Sequence, residues 1–318
     1  PSTPGDPAVS PQLVPLVLKP MRAHVPAKPM RALLGAEDTT QVGIVRAPKT
    51  TTTESDAVFY FPGCGSERLF TQVGLATLAM LYQSGAKTVL PPGYLCCGYP
   101  QSATGDADKG HAITTENRVL FHRVANTLNY LDIKTVIVSC GTCMDQLLKY
   151  EFNSIFPGCR LLDIHEYLME QGISLQGENN TRYLYHDPCH TPMKSYSPVK
   201  VASTLLGQDV LLSDRCCGES GTLGTARPDI AEQLRFRKRQ ELQQDLVQLT
   251  GEKVTTQGKV KLLTSCPACQ QGLSRYTDDT GLETDFIVVE LCNHNLGGNW
   301  QREFVASANA GGIERVLL

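Results

Sequence analysis

The chain has 318 residues, of which 41% are apolar, and a formal net charge of -3. That length admits two ordinary domains with a core in each, and so small a charge gives nucleic acid or an anionic membrane no electrostatic hold. No apolar run approaches the roughly 20 residues of a membrane-spanning helix, and no charged-then-apolar signal segment opens the chain. The expectation is therefore a cytoplasmic protein with no nucleic-acid partner and no transmembrane segment, peripheral to a membrane only through partners. Because the sequence opens on Pro1 rather than Met, an upstream segment is also expected.

Residues 1–57 carry nine of the nineteen prolines and a threonine run from Thr50 to Thr53. They hold no sustained period of two or of 3.6, so they read as a linker or wrapping arm. Within them Leu13, Val14, Leu16, Val17 and Leu18 form a stretch suited to lying extended on a neighbouring surface.

Order is expected from Val58-Phe59-Tyr60-Phe61, a buried strand that ends at Pro62-Gly63. Leu69, Phe70, Val73, Ala76 and Met80 then recur at three and four, with Gly85 as a stop, which predicts a crossover helix. Thr88-Val89-Leu90 reads as the next strand, Ile113, Leu120, Val124 and Leu128 as one face of a second helix, and Thr135-Val136-Ile137-Val138 as a third strand. The plan then repeats. Strands are expected at Arg182-Tyr183-Leu184-Tyr185, Val210-Leu211-Leu212 and Val260-Lys261-Leu262-Leu263, with a long polar helix from Pro228 to Leu249 before the last of them. The run Arg235, Arg237, Lys238, Arg239 on that helix reads as a solvated face. Asp285 to Val289 reads as an edge strand and the tail from Asn299 as a helix.

Every cysteine cluster follows a predicted strand. Cys64, Cys96-Cys97-Gly98 and Cys140-x-x-Cys143 form one set, and Cys189, Cys216-Cys217-Gly218 and Cys266-x-x-Cys269 the other. The order is kept while the gaps drift, from 31 and 42 residues to 26 and 48, as an old internal duplication would leave it. Strands alternating with crossover helices imply an α/β fold with a small, mainly parallel sheet in each copy. Right-handed crossovers then bring the cysteines together at the strand carboxyl ends. Domain boundaries are placed at 58–175 and 176–318, the second with a C-terminal tail.

Five soft thiolates in one place select zinc, copper(I) or an iron-sulfur cluster. Zinc closes its shell with four ligands, and adjacent cysteines diverge, which suits two irons of one cluster better than a single ion. Gly98 and Gly218 let the backbone approach closely. Two other readings stay open: a zinc-stapled docking module without catalysis, and a metal-free thiol oxidoreductase using a Cys-x-x-Cys pair. His186, His190 and Glu219 flank the second set and are candidate proton-handling residues, with an ordinary structural role equally open for the histidines. Cys159, Cys292, His111, His122, His165 and His294 show no ligand spacing.

The motifs FPGC, LCCGYP and SCGTC, then HDPCH, CCGESG and SCPAC, resemble the duplicated CCG, or cysteine-rich, domain of heterodisulfide reductase and of glycolate and lactate oxidase iron-sulfur subunits. The resemblance covers residues 58 to about 292. It implies two α/β domains related by a pseudo-twofold axis. It also implies a 4Fe-4S cluster, in places of non-cubane type, on Cys189, Cys216, Cys217, Cys266 and Cys269. Cys64, Cys96, Cys97, Cys140 and Cys143 would hold a second 4Fe-4S cluster or zinc. The chain also looks like the C-terminal part of fused bacterial FAD-linked oxidoreductases of 2-hydroxy acids. The stretch from Gly218 to Gly224 lacks the spacing of a dinucleotide fingerprint, so FAD is expected only on an upstream or partner dehydrogenase domain, with a separate electron acceptor.

Overall fold

The computed structural model of the chain describes residues 26–177, 179–219 and 223–318. Ten strands lie among them: β1 (Gln41–Val45), β2 (Ala57–Phe61), β3 (Lys87–Leu90), β4 (Ile133–Val138), β5 (Arg160–Asp163), β6 (Arg182–His186), β7 (Leu211–Leu212), β8 (Val260–Thr264), β9 (Glu283–Phe286) and β10 (Ile313–Leu317). The longer helices are α1 (Thr71–Gln83), α2 (Ala107–Thr127), α3 (Gly141–Leu147), α4 (Ile164–Glu170), α5 (Pro198–Leu206), α6 (Pro228–Thr250), α7 (Pro267–Leu273), α8 (Ile287–Asn295) and α9 (Trp300–Ser307). Strands and helices interleave as the hydrophobic periods predict. No helix among the described residues is long and apolar enough to cross a membrane.

The described chain gathers into two compact units, one of residues 26–177, 190–208 and 287–318 and one of residues 179–189 and 209–286. The first contains a sheet of order β10-β1-β3-β2-β4-β5, the second a sheet of order β7-β6-β8-β9. Within the first sheet β3, β2, β4 and β5 run parallel, and all four strands of the second are parallel. Both therefore follow one order, second strand, first, third, fourth. The duplication written in the cysteines is also written in the topology.

Compactness cuts the chain differently from the expected boundary near residue 175. Segments 190–208 and 287–318 pack with the first sheet, where α5 and α8 lie against α4 and α8 also lies against α1. Specific hydrogen bonds fix them there. The buried Glu166 carboxylate accepts from the Ser195 and Tyr196 N–H groups at 2.7 and 2.9 Å, and the Val288 N–H donates to His165 Nε2 at 3.2 Å.

Around β2 and β4 the core is aromatic. Phe59 meets Phe121 edge-on at 4.9 Å and Phe121 stacks on Phe152 at 5.9 Å. Each such ring, fully buried, stabilises the fold by about 1.5–3 kcal/mol from removed surface alone. This rigid layer is the platform from which the loops at the strand carboxyl ends project.

The described part of the expected linker is folded. Val42, Ile44 and Val45 are buried in β1, which pairs antiparallel with both β3 and β10. The partner β10 lies at the far end of the sequence, so no local pattern announces the pairing. Arg31 is buried as well, its Nε 3.1 Å from Glu67 Oε2. The apolar stretch Leu13 to Leu18 lies outside the described residues. Near the C-terminus the expected edge strand is β9, which stops at Phe286 because Ile287 opens α8, and the tail forms α9 and then β10.

Candidate metal centres

In the first unit Cys64 follows β2 directly, Cys96-Cys97 follow the loop after β3, and Cys140 and Cys143 follow β4. Cys140 is the extended residue that precedes α3, and Cys143 lies in its first turn. Gly63 (φ +66°) passes so close that a Cβ there would stand 2.6 Å from Cys143 Sγ. Gly98 adopts φ +88° and turns the chain directly after the cysteine pair. In the second unit Cys189, Cys216-Cys217 and Cys266/Cys269 occupy the equivalent positions after β6, β7 and β8. Cys266 precedes α7 in the same extended conformation, and Gly218 repeats the turn at φ +78°.

All twelve cysteines are free thiols. In the first set Cys64 contacts Cys96, Cys96 contacts Cys97, Cys97 contacts Cys143 and Cys143 contacts Cys140. In the second, Cys189 Sγ lies 4.0 Å from Cys216 Sγ, Cys216 meets Cys217, Cys217 Sγ lies 3.3 Å from Cys269 Sγ, and Cys269 meets Cys266. The two chains of contact run in the same order. Cys64 and Cys189 are exposed, whereas Cys97, Cys143, Cys217, Cys266 and Cys269 are buried, so each set opens to solvent on the side of its first cysteine.

Thiols this close cannot all ionise, because each thiolate raises its neighbours. Hydrogen bonds from Cys64 and Cys97, then from backbone N–H groups, draw Cys96 far below the ordinary thiol value. Cys217 is lowered by Cys216 and Cys269, with the Glu219 N–H adding to them. Cys64 is raised by sharing its proton with Cys96, and Cys143 by sharing with Cys140. A bound cation allows several of these crowded sulfurs to be thiolates at once. Five converging sulfurs with backbone N–H groups aimed at them fit a thiophilic metal or cluster.

His186 at the end of β6 is 1% exposed. One ring nitrogen and the sulfurs of Cys217 and Cys269 all lie within 4.8 Å of one another. The equivalent residue at the end of β2 is Phe61, so the sets differ here. His186 Nδ1 lies 3.1 Å from the Ser213 carbonyl. That carbonyl also accepts from Lys238 Nζ, which is wholly buried and paired with Glu241 at 2.8 Å. Lys238 is thus no part of a solvated face. It falls on the buried stripe Ala231, Lys238, Leu242, Leu246 of α6, and burial lowers its pKa against the pull of Glu241.

Glu219 packs on the second set, but its carboxylate is held by Arg235 at 2.8 Å and Arg275 at 2.7 Å. Its side chain also fills the space over Gly272, where a Cβ would meet Glu219 Cγ at 2.2 Å. The residue clamps the Cys217-Gly218 turn to α7.

His190 follows Cys189 in sequence yet belongs to the first unit. Its carbonyl covers Gly141, where a Cβ would stand 1.5 Å from it. Its ring is held at both ends, with Nδ1 2.5 Å from Asp145 Oδ2 and Nε2 3.1 Å from the Tyr99 hydroxyl. Lys194 Nζ pairs with the other Asp145 oxygen at 2.9 Å. Burial works to raise the Asp145 carboxyl, but Lys194 and His190 prevail and hold it below the usual range. Tyr99 and Asp145 each lie two residues beyond a cysteine of the first set, so His190 serves the first set's loops.

Sequence reasoning missed Tyr99, Asp145 and Lys194, and also Asn117 and Tyr150. Asn117 Nδ2 donates to the Cys96 carbonyl at 2.8 Å, and the Tyr150 hydroxyl donates to the Cys97 carbonyl at 2.9 Å. A lone Asn on the buried face of α2 was the available signal.

Fold and sites together define a duplicated α/β protein with a five-thiol set at the same sheet edge of each repeat. The model of the cysteine-rich (CCG) domain family matches residues 58–148 and 183–274, over half of the chain, and the chain belongs to that family. A domain of unknown function, DUF3400, matches residues 274–318. An uncharacterized iron-sulfur protein of Methanococcus maripaludis is 26% identical over 75% of this chain and 46% of its own length. One of the subunits of fumarate reductase (CoM/CoB) from Methanothermobacter marburgensis is 27% identical over 70% and 42%. A probable glycolate oxidase iron-sulfur subunit of Bacillus subtilis is 27% identical over 52% and 40%. The chain spans less than half the length of each of these relatives.

Proposed function

We propose that the chain is the iron-sulfur electron-transfer part of an oxidoreductase, placed between an FAD-linked dehydrogenase of 2-hydroxy acids, of lactate or glycolate type, and an electron acceptor. The observation that carries this reading is the pair of five-thiol chains in one contact order on equivalent strand ends. Four ligands satisfy zinc, so in each set a zinc site leaves a sulfur unused, whereas a cluster engages divergent neighbours such as Cys216 and Cys217. The iron-sulfur names of the relatives support the same reading.

Cys189, Cys216, Cys217, Cys266 and Cys269 would hold the working 4Fe-4S cluster, and Cys64, Cys96, Cys97, Cys140 and Cys143 a second cluster or zinc. A bound cluster supplies one-electron transfer. The protein's own part is to exclude water with the buried thiols and to leave each set open at Cys64 or Cys189. Asp145 orients the His190 ring and holds its Nδ1 proton, which leaves Nε2 to exchange a proton with the Tyr99 hydroxyl. Glu219, committed to two guanidinium groups, stays out of that path.

The test is the iron, acid-labile sulfide and zinc content of the chain purified without oxygen, read with its EPR spectrum. About eight irons and eight sulfides per chain mean two clusters, and about four of each with one zinc mean one cluster beside a zinc site. Zinc alone, without sulfide, overturns the reading in favour of a docking module. Neither metal nor sulfide, with a rapidly alkylated Cys-x-x-Cys, overturns it in favour of thiol chemistry.

A further inference from the structure

Three features of His186 do not belong to a structural histidine. It is buried at 1% exposure, its Nε2 has no nitrogen or oxygen partner among the described residues, and it sits with the sulfurs of Cys217 and Cys269 within a 4.8 Å group. The position of its proton follows from its neighbours. Lys238 Nζ carries three hydrogens, and three acceptors take them: the Ser213 carbonyl at 3.0 Å, the Ser213 hydroxyl at 2.8 Å and Glu241 Oε2 at 2.8 Å. None is left for His186 Nδ1, 3.4 Å away. Nδ1 in turn lies 3.1 Å from the Ser213 carbonyl, an approach that only an N–H makes. The ring is therefore the Nδ1–H tautomer. Nε2 is left with a lone pair, in the arrangement by which a ligating imidazole donates its other N–H to a backbone carbonyl.

We propose that His186 Nε2 is a nitrogen ligand of the metal centre in the second set, which thereby has a mixed nitrogen and sulfur shell, while the first set, with Phe61 at the equivalent position, supplies sulfur alone. Ser213 and the buried Lys238–Glu241 pair hold the ring in place for it. This assignment rests on the second set being a metal centre, and it excludes His186 as a proton donor to sulfur.

The full chain, labelled with 15N-histidine, is prepared without oxygen, supplied with iron and sulfide, and examined by pulsed EPR. The expected result is the nitrogen coupling of a directly bound imidazole, lost in His186→Gln and in His186→Cys, which keeps a soft donor and its iron, and retained in His122→Gln. A cluster in the second set without that coupling, or a coupling that survives both His186 substitutions, overturns the assignment. If no cluster assembles, the iron-sulfur reading fails separately, and Co2+ decides the ligand on the same anaerobic chain. Nitrogen coupling to Co2+, with affinity falling at least about tenfold in His186→Gln, supports His186. Co2+ bound without nitrogen coupling, or not bound at the second set, overturns it.

Discussion

Gly141 has no room for a side chain, since a Cβ there would lie 1.5 Å from the His190 carbonyl oxygen. Gly141→Ala must push the 190–196 segment off α3. The expected cost is about 1–3 kcal/mol in urea unfolding, the range for overpacking, with faster chemical modification of a His190 ring freed from Tyr99. Gly65, where nothing lies within 4 Å of a Cβ, is the control, and Gly65→Ala is expected to leave both readouts near the parent. Equal effects of the two substitutions would mean that the close approach at Gly141 is not what holds His190. The sequence sets His190 beside Cys189, but its neighbour in the chain is not its neighbour in space. Tyr99, Asp145 and Lys194 come from two other segments and from the turn after it, and no spacing rule links them.

Among the elements, the segment before β2 changes most between sequence and structure. Prolines and the absence of a sustained period make it read as linker, yet Met30 is fully buried and Arg31 pairs with Glu67 at 2% and 1% exposure. Desolvation pulls the Arg31 pKa down and pushes Glu67 up, each opposed by its partner. Removing one member leaves the other as an uncompensated buried charge. Arg31→Met is expected to destabilise the chain by about 3–5 kcal/mol, and Arg31→Met with Glu67→Gln to recover part of that loss, both read as the shift in urea midpoint at unchanged slope. A single substitution costing under about 1 kcal/mol would show that the segment contributes little to the fold. β1 escapes sequence reading for a related reason. Five residues flanked by turns carry a strand signal only when a sheet edge is there to receive them.

For the molecule as a whole, the repeated strand order predicts two metal centres that fill separately. Cys96→Ala with Cys97→Ala is expected to remove about half of the bound iron and sulfide, and so is Cys216→Ala with Cys217→Ala, each leaving the other centre's spectrum in place. Loss of both centres from either pair of substitutions would mean that assembly at one set depends on the other. If the first set holds zinc, the first pair removes zinc and leaves iron unchanged. Metal analysis of the two variants beside the parent decides among these outcomes.

By itself the sequence determined the α/β class, the duplication and the strands that each cysteine set follows. Hydrophobic period and residue order are local properties, and right-handed crossovers turn them into a common edge. Tertiary structure alone decided which side chains surround those thiols. It assigned 190–208 and 287–318 to the first unit and recruited β1 and β10 to one sheet. It also buried Lys238 behind His186 and gave Glu219 to two arginines. Those outcomes depend on contacts between residues far apart in the chain, whose free energy is set by burial and partner geometry and leaves no periodic trace in the sequence.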